Sequence, residues 1–409
     1  MREFVYVLAS FLIAFVVSYR AIPTVINVSR QLKLFSEPNG RSATIHRIPT
    51  LGGIAIFIGF ILGLTLTRNG YILPGLTFII AGVMIMFFVG LKDDIVSLSA
   101  SKKIISQLMV AGILIFLGHF RLTNFHGFMG IENIPMIISA PLTTFVLIVF
   151  INAFNLIDGI DGLAAGLSIF AGSVLGIWFF LSGHFEFSIV SFSLVGALLG
   201  FFFFNVYGKK NKIFMGDTGS LILGTIMAIL VIEFNEFNID QRVPYAILAA
   251  PAVSFGILIY PLMDTLRVFA IRIIRRRSPF EADKNHTHHR LLTLGLTHAQ
   301  ATYLILSINA IFTFAVFNLQ WLGIIGLMIF NFVVSGILLL LPSYIVARKK
   351  LIHPNDPYQE IIFFDNNQSN GHAVNGVANK IDKKTAAVNP AEIAPGKRLK
   401  EQIQRIGFW

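Results

Sequence analysis

The sequence reads as an all-α, polytopic integral membrane protein, on three grounds. Hydrophobic residues make up 55% of the 409 positions and charged ones only 13%, about half the charged share of a soluble domain. Mean hydropathy is +0.74. Uncharged apolar runs of the roughly twenty residues needed to cross hydrocarbon recur from the N-terminus to about residue 347. Leu, Ile, Phe and Gly fill these runs without the strict two-residue alternation of a transmembrane β-barrel, which weighs against a barrel.

Taken in order, the runs lie at about 4–26, 51–67, 72–91, 104–118, 137–157, 163–181, 187–206, 219–233, 244–263, 301–317 and 320–347, which predicts about eleven transmembrane helices. The first carries Arg20 near its far end and no small-residue cleavage site, so it reads as a retained helix and not as a removed signal peptide. Cysteine is absent, which removes disulfides and thiolate metal sites from consideration. Orientation follows from Lys and Arg, which concentrate in cytoplasmic loops. Loops at 27–50, 92–103, 207–218 and 264–300 hold 17 of them, against four on the other face: Arg2, Arg68, Arg121 and Arg242. The N-terminus is therefore expected outside and the C-terminus in the cytoplasm. The net charge of +11 is mostly this topology together with anion binding, and it does not call for a nucleic-acid partner.

Residues 1–347 form the expected transmembrane catalytic domain. From 348 to 409 the composition turns to Asn, Lys, Gly and Ala, with a short amphipathic pattern near 391–406, which predicts a polar, largely disordered cytoplasmic tail. No internal repeat suggests an inverted-repeat transporter.

Four polar clusters interrupt the apolar chain, each at the end of a run and all on the predicted cytoplasmic side. Ionisable residues at such depth are costly and mark function first. Asp93 and Asp94 follow the third run, with Lys102 and Lys103 before the next. Paired carboxylates hold a divalent cation or take a proton, and lysines receive phosphate; helix capping is the bland alternative. Asn152, Asn155, Asp158 and Asp161 repeat every three residues, one slanted stripe on a helix, with polar interhelical contact as the alternative. Gly159 and Gly162 would admit a ligand to the backbone. Asp217, in Phe214-Met215-Gly216-Asp217-Thr218-Gly219, follows Lys209, Lys210 and Lys212 and opens a helix, a setting for phosphate oxygens and a bridging metal.

The stretch from Asp264 to Arg290 holds an arginine run, suited to anionic headgroups, then His286, His288 and His289. Three histidines would suit zinc, but with no cysteine and with Lys284 and Arg290 beside them they fit an anion better. A fifth loop, 46–53, ends in Pro49, Thr50, Leu51, Gly52 and Gly53 and favours close helix packing.

In this order, over roughly residues 40–300, these motifs resemble the polyprenyl-phosphate N-acetylhexosamine-1-phosphate transferases. The resemblance implies transfer of a sugar-1-phosphate from a UDP-N-acetylhexosamine to undecaprenyl phosphate, with release of UMP, in the bacterial cytoplasmic (inner) membrane. It implies Mg²⁺, with Mn²⁺ as a substitute, and membrane lipids as partners. A homodimer is compatible with it. Position by position, it makes Asp217 the metal ligand with Asn155 nearby, and sets Asp93 and Asp94 beside the lipid phosphate, one of them as base. Lys102 would contact phosphate, with Lys103 as its substitute. Asp158, Asp161, Asn152, Asn205 and Phe214 would line the nucleotide pocket, and His286, His288 and His289 would bind diphosphate or sugar. The Pro-x-His-His-His loop of the phospho-MurNAc-pentapeptide branch is replaced here by His286-Thr287-His288-His289, so the resemblance favours UDP-GlcNAc. The rival classes are that pentapeptide transferase and, with a different activity altogether, an ion-coupled transporter.

Overall fold

A computed structural model describes residues 1–35, 48–67, 75–274, 276 and 286–352. The chain divides into two compact units, Met1–Leu340 and Leu341–Trp409. Among the described residues the second unit contributes only the last turns of one helix, and the amphipathic pattern near 391–406 lies outside them.

Unit one is helical, and its only β-pairing among the described residues is two isolated bridges, Phe35 with Pro49 and Asn124 with Asn133. Hydrocarbon offers no water to backbone groups, so apolar runs fold as helices that satisfy them internally. The helices are α1 (Arg2–Gln31), α2 (Gly52–Leu66), α3 (Leu76–Val96), α4 (Ala100–Gly112), α5 (Met136–Ile157), α6 (Leu163–Leu181) and α7 (Phe185–Val206). Then come α8 (Gly216–Phe237), α9 (Ala250–Ile257), α10 (Ile259–Ile274), α11 (Thr287–Thr293), α12 (His298–Asn318) and α13 (Gly323–Ile352).

Nine described helices are long and apolar enough to cross a membrane, α4 among them because a π-helical turn, Ile113–Leu117, carries it on to Leu117. The run expected at 51–67 is the shorter α2, and the run at 244–263 is broken into α9 and α10 at Leu258. A break frees backbone carbonyls, which need partners at this depth. Asn309 of α12 meets that need at Ile257, donating to its carbonyl at 2.9 Å, while Asn331 of α13 ties itself to α9 through the Ala252 carbonyl at 2.8 Å.

Helix α8 is the hub: 83% of its most apolar stretch is buried, against 28% for α1. Glycines let its neighbours approach backbone to backbone. A Cβ on Gly90 of α3 would stand 2.5 Å from the Thr218 Cα, and one on Gly53 of α2 would stand 2.2 Å from the Gly219 nitrogen. On its other side, a Cβ on Gly224 would meet the Ile151 Cα of α5 at 2.5 Å. These contacts draw α2, α3 and α5 around the N-terminal end of α8, where the acidic clusters meet.

Candidate active site

The arrangement begins with a helix cap supplied from another helix. Sequence spacing ends the third run at about 91, but α3 continues to Val96, so Asp93 and Asp94 sit in its last turns, about 100° apart around the axis. Asp94 points at the start of α8, whose first N–H groups have no partner within their own helix. Its carboxylate accepts from the Asp217 N–H at 2.8 Å, the Thr218 N–H at 3.0 Å and the Thr218 hydroxyl at 2.5 Å. Gly216 is required at this junction. Its φ is +72°, and a Cβ there would fall 2.2 Å from the Thr50 carbonyl and 2.6 Å from an Asp94 carboxylate oxygen. The fifth loop reaches the same place: Phe214 N–H donates to the Pro49 carbonyl, Gly52 N–H to that of Phe214 and Gly53 N–H to that of Met215, at 2.8, 2.9 and 2.9 Å.

Held this way, the Asp217 side chain collects two further elements. Lys103 of α4 donates to Oδ2 at 3.0 Å, and the Asn155 amide of α5 donates to Oδ1 at 2.6 Å and to the Ser220 hydroxyl at 2.9 Å. Lys103 also pairs with Asp93, which is 7% exposed and takes the Leu98 N–H. Lys102, one position earlier, has an exposed side chain. Of the three lysines expected beside Asp217, Lys209 and Lys210 are exposed. Lys212 instead pairs with Asp161 at 2.5 Å.

The polar stripe divides where α5 ends. Asn152 and Asn155 lie on the helix, but Asp158 is its C-cap and Asp161 belongs to the turn that follows. Asn152 faces Gln107 of α4 in a reciprocal amide pair at 2.8 and 3.5 Å, away from the cavity. Asn205 stabilises the turn by accepting from Gly162 N–H at 2.6 Å and donating to the Ile213 carbonyl at 2.9 Å. Asp161 accepts from Lys212 and from His298 at 3.2 Å, while its backbone carbonyl accepts from Thr302 at 2.7 Å. Burial works to raise the Asp161 pKa, but His298 and Lys212 outweigh it and hold the carboxyl below its usual range. Asp158 behaves oppositely: burial, then the charges of Asp217, Asp94 and Asp161, push its pKa well up.

The histidine segment stands behind this turn. Asp264, fully buried inside α10 and not at its end, accepts from His286 at 2.8 Å, the Thr287 N–H at 3.0 Å, the Thr287 hydroxyl at 2.6 Å and Arg267 at 3.1 Å. His288 is fully buried between His286 and His289, with ring centroids 5.6 and 4.3 Å away. Burial, then the neighbouring His289, holds its pKa well down, so its ring is neutral. Its Nε2 abuts Gly159, where a Cβ would come within 2.5 Å.

Together these residues enclose a cavity of about 280 Å³ lined by Thr50, Asn155, Asn205, Phe214, His298 and four aspartates, Asp94, Asp158, Asp161 and Asp217. That is close to the lower bound for a small-molecule pocket, room for a polar head and not for an isoprenoid chain. Asp94, Asp158 and Asp217 line this cavity with Asp93 beside them, and among the described residues the ammonium of Lys103 is shared between Asp93 and Asp217, so the acidic side of the pocket calls for cations before it accepts an anion. Among the described residues no three His, Cys, Asp or Glu side chains form a complete metal cage. The donors at hand, Asp217, Asp93 and Asn155, are hard oxygen groups in the sparse number that Mg²⁺ takes alongside phosphate oxygens.

A profile of glycosyl transferase family 4 matches residues 76–235. A probable undecaprenyl-phosphate N-acetylglucosaminyl 1-phosphate transferase of Bacillus subtilis is 31% identical over 328 residues, 76% of this chain and 87% of that protein. The chain belongs to glycosyl transferase family 4. Undecaprenyl-phosphate alpha-N-acetylglucosaminyl 1-phosphate transferases of Escherichia coli O157:H7 and Yersinia pestis are 29% and 28% identical. They match over 68% and 73% of this chain and 74% and 78% of their own length. The region matched to the family profile contains Asp93, Asp94, Asn155, Asp158, Asp161 and Asp217, whereas His286, His288, His289 and His298 lie beyond it. Sequence reasoning passed over Gln107, Ser220 and His298, and read Thr50 only as part of the packing loop at 46–53. Only Ser220 carried a local signal, as the residue after the Met215–Gly219 cluster.

Proposed function

We propose that this protein transfers GlcNAc-1-phosphate from UDP-GlcNAc to undecaprenyl phosphate, releasing UMP, at the cytoplasmic face of a bacterial inner membrane. The observation that carries the reading is the shared carboxylate of Asp217, joined to Lys103 and Asn155 and fixed from behind by Asp94. The names of the relatives supply the substrates, and the excess of Lys and Arg in loops on the cluster side supports the orientation.

An oxygen of the lipid phosphate attacks the β-phosphorus of the donor. The bond from that phosphorus to the bridging oxygen breaks, and UMP leaves with the oxygen. Two anions must meet, so the protein's work is charge neutralisation and in-line placement. Mg²⁺, held by Asp217 with Asn155, would neutralise phosphate charge. Lys103 reaches both Asp93 and Asp217 and is placed to hand its ammonium to a phosphate oxygen. Asp93 sits beside it to take a proton from the incoming lipid phosphate. Asp94 positions Asp217 through the N-terminus of α8, and His288 braces the 158–162 turn through Gly159. A transporter would carry its ion site near the midplane with broken helices in both halves, whereas these carboxylates gather at helix ends.

The test is turnover by purified protein in detergent, with undecaprenyl phosphate and UDP-GlcNAc, with and without Mg²⁺. Formation of lipid-linked GlcNAc and UMP in equal amounts, lost on chelation and in Asp217→Ala, is the expected result. No lipid product from UDP-GlcNAc in the presence of Mg²⁺ would refute the assignment.

A further inference from the structure

His298 opens α12, 137 residues along the chain from its partner Asp161, and no sequence motif marks it. Its side chain is 48% exposed and lines the same cavity as Phe214. Two features fix what its imidazole can do. Asp161 is an ionised carboxylate, which only accepts, so His298 Nδ1 must donate the 3.2 Å bond to Oδ2. In the neutral ring that leaves Nε2 as an acceptor, on a residue that lines the cavity, its tautomer set by the partner of the other nitrogen. The Lys212 ammonium is already committed to Asp161 and lies 5.8 Å from the centre of the Phe214 ring. This end of the cavity is therefore close to charge-neutral, with an aromatic face and an acceptor. That is the chemistry of a base-binding surface and not of a phosphate clamp.

We propose that His298 is a specificity-determining residue whose Nε2 accepts a hydrogen bond from the ring N–H of uracil in the nucleotide donor. The inference rests on the assignment of a UDP-sugar to this cavity. Uracil carries a hydrogen on N3; cytosine has an acceptor there, so it presents nothing for Nε2 to accept at that position. Asp161 acts through His298 as a positioning residue, and the capping box between Thr297 and Gln300 fixes the helix end that carries the imidazole.

Equilibrium binding of UMP and CMP to purified full-length protein in the presence of Mg²⁺ tests this. In His298→Ala, UMP affinity should fall about tenfold while CMP affinity stays within about twofold, the loss expected for a single hydrogen bond. His298→Gln, whose amide oxygen restores an acceptor, should recover part of the difference. Unchanged UMP binding in His298→Ala overturns the proposal, and so does an equal weakening of UMP and CMP, which would mark a general effect on the pocket. A wild-type protein that binds no UMP would instead refute the substrate assignment itself, and the inference with it. The Michaelis constant for undecaprenyl phosphate should not move in either variant.

Discussion

Replacing Asp94 by Asn tests whether one helix end organises the site. The carboxylate accepts three hydrogen bonds, from the N–H groups of Asp217 and Thr218 and the Thr218 hydroxyl. Asn keeps one acceptor oxygen and replaces the other with a donor. If the oxygen stays on the Asp217 N–H, the Thr218 hydroxyl can turn to accept from the new amide, but the Thr218 N–H faces a donor. A buried donor left unpaired costs about 1–3 kcal/mol, and the remaining bonds lose their charge assistance at roughly 1 kcal/mol. The cost of about 2–4 kcal/mol falls on the conformation that aims Asp217. At 1.36 kcal/mol per tenfold, kcat should drop by about 30- to 1,000-fold.

Turnover with UDP-GlcNAc and undecaprenyl phosphate, followed from about pH 6 to 9, separates positioning from proton transfer. A positioning role lowers kcat by a constant factor across the range, whereas loss of a base removes one limb of the profile. A fall of less than about threefold would show that the cap is dispensable and refute the reasoning.

Asp158→Asn should change how stability depends on pH. Burial first, then neighbouring carboxylates, raise the folded-state pKa, so wild-type stability is fully present below the unfolded value of about 3.9 and is lost as pH rises through the folded value. Without Mg²⁺ or substrates, the variant's melting temperature should gain on wild type as pH rises above about 4; a constant difference would contradict this. Gly53→Ala should abolish folded, active protein, because its Cβ would lie 2.2 Å from a backbone nitrogen. Gly112→Ala, with nothing within 4 Å, should be neutral or stabilise α4 by up to about 1 kcal/mol; detergent melting curves decide both. Gly159→Ala should cut turnover about tenfold or more by displacing the fully buried His288, and kinetics equal to wild type would remove that histidine from the support of the turn.

The membrane fold was legible because hydrocarbon imposes a simple requirement: every long apolar run must be a helix. Departures came where tertiary contacts override the local pattern. The run at 244–263 is broken at Leu258, and Asn309, distant in sequence, supplies a donor to the carbonyl at the break. Helix α3 outlasts its apolar residues because Asp93 and Asp94 find partners in α4 and α8. Whether Lys102 or Lys103 enters the site depends on helical phase, and adjacent lysines of identical chemistry carry no signal of it. His298 was invisible for the same reason, since its partner lies across the fold.

The aspartates show most sharply what sequence leaves open. Asp93, Asp94, Asp158, Asp161, Asp217 and Asp264 all looked alike, acidic residues at the ends of apolar runs. Their partners sort them. Asp94 spends its oxygens on the backbone and hydroxyl of α8, Asp264 on α11 and Arg267, and Asp161 on Lys212 and His298. A carboxylate committed to neutral backbone donors fixes geometry. It has little left to offer a cation or a proton. Asp217 and Asp93 instead share the ammonium of Lys103, and Asp158 accepts no hydrogen bond from another described residue. Under the proposed function, chemistry falls to the carboxylates whose partners can be exchanged for substrate, and the others hold the helices that aim them.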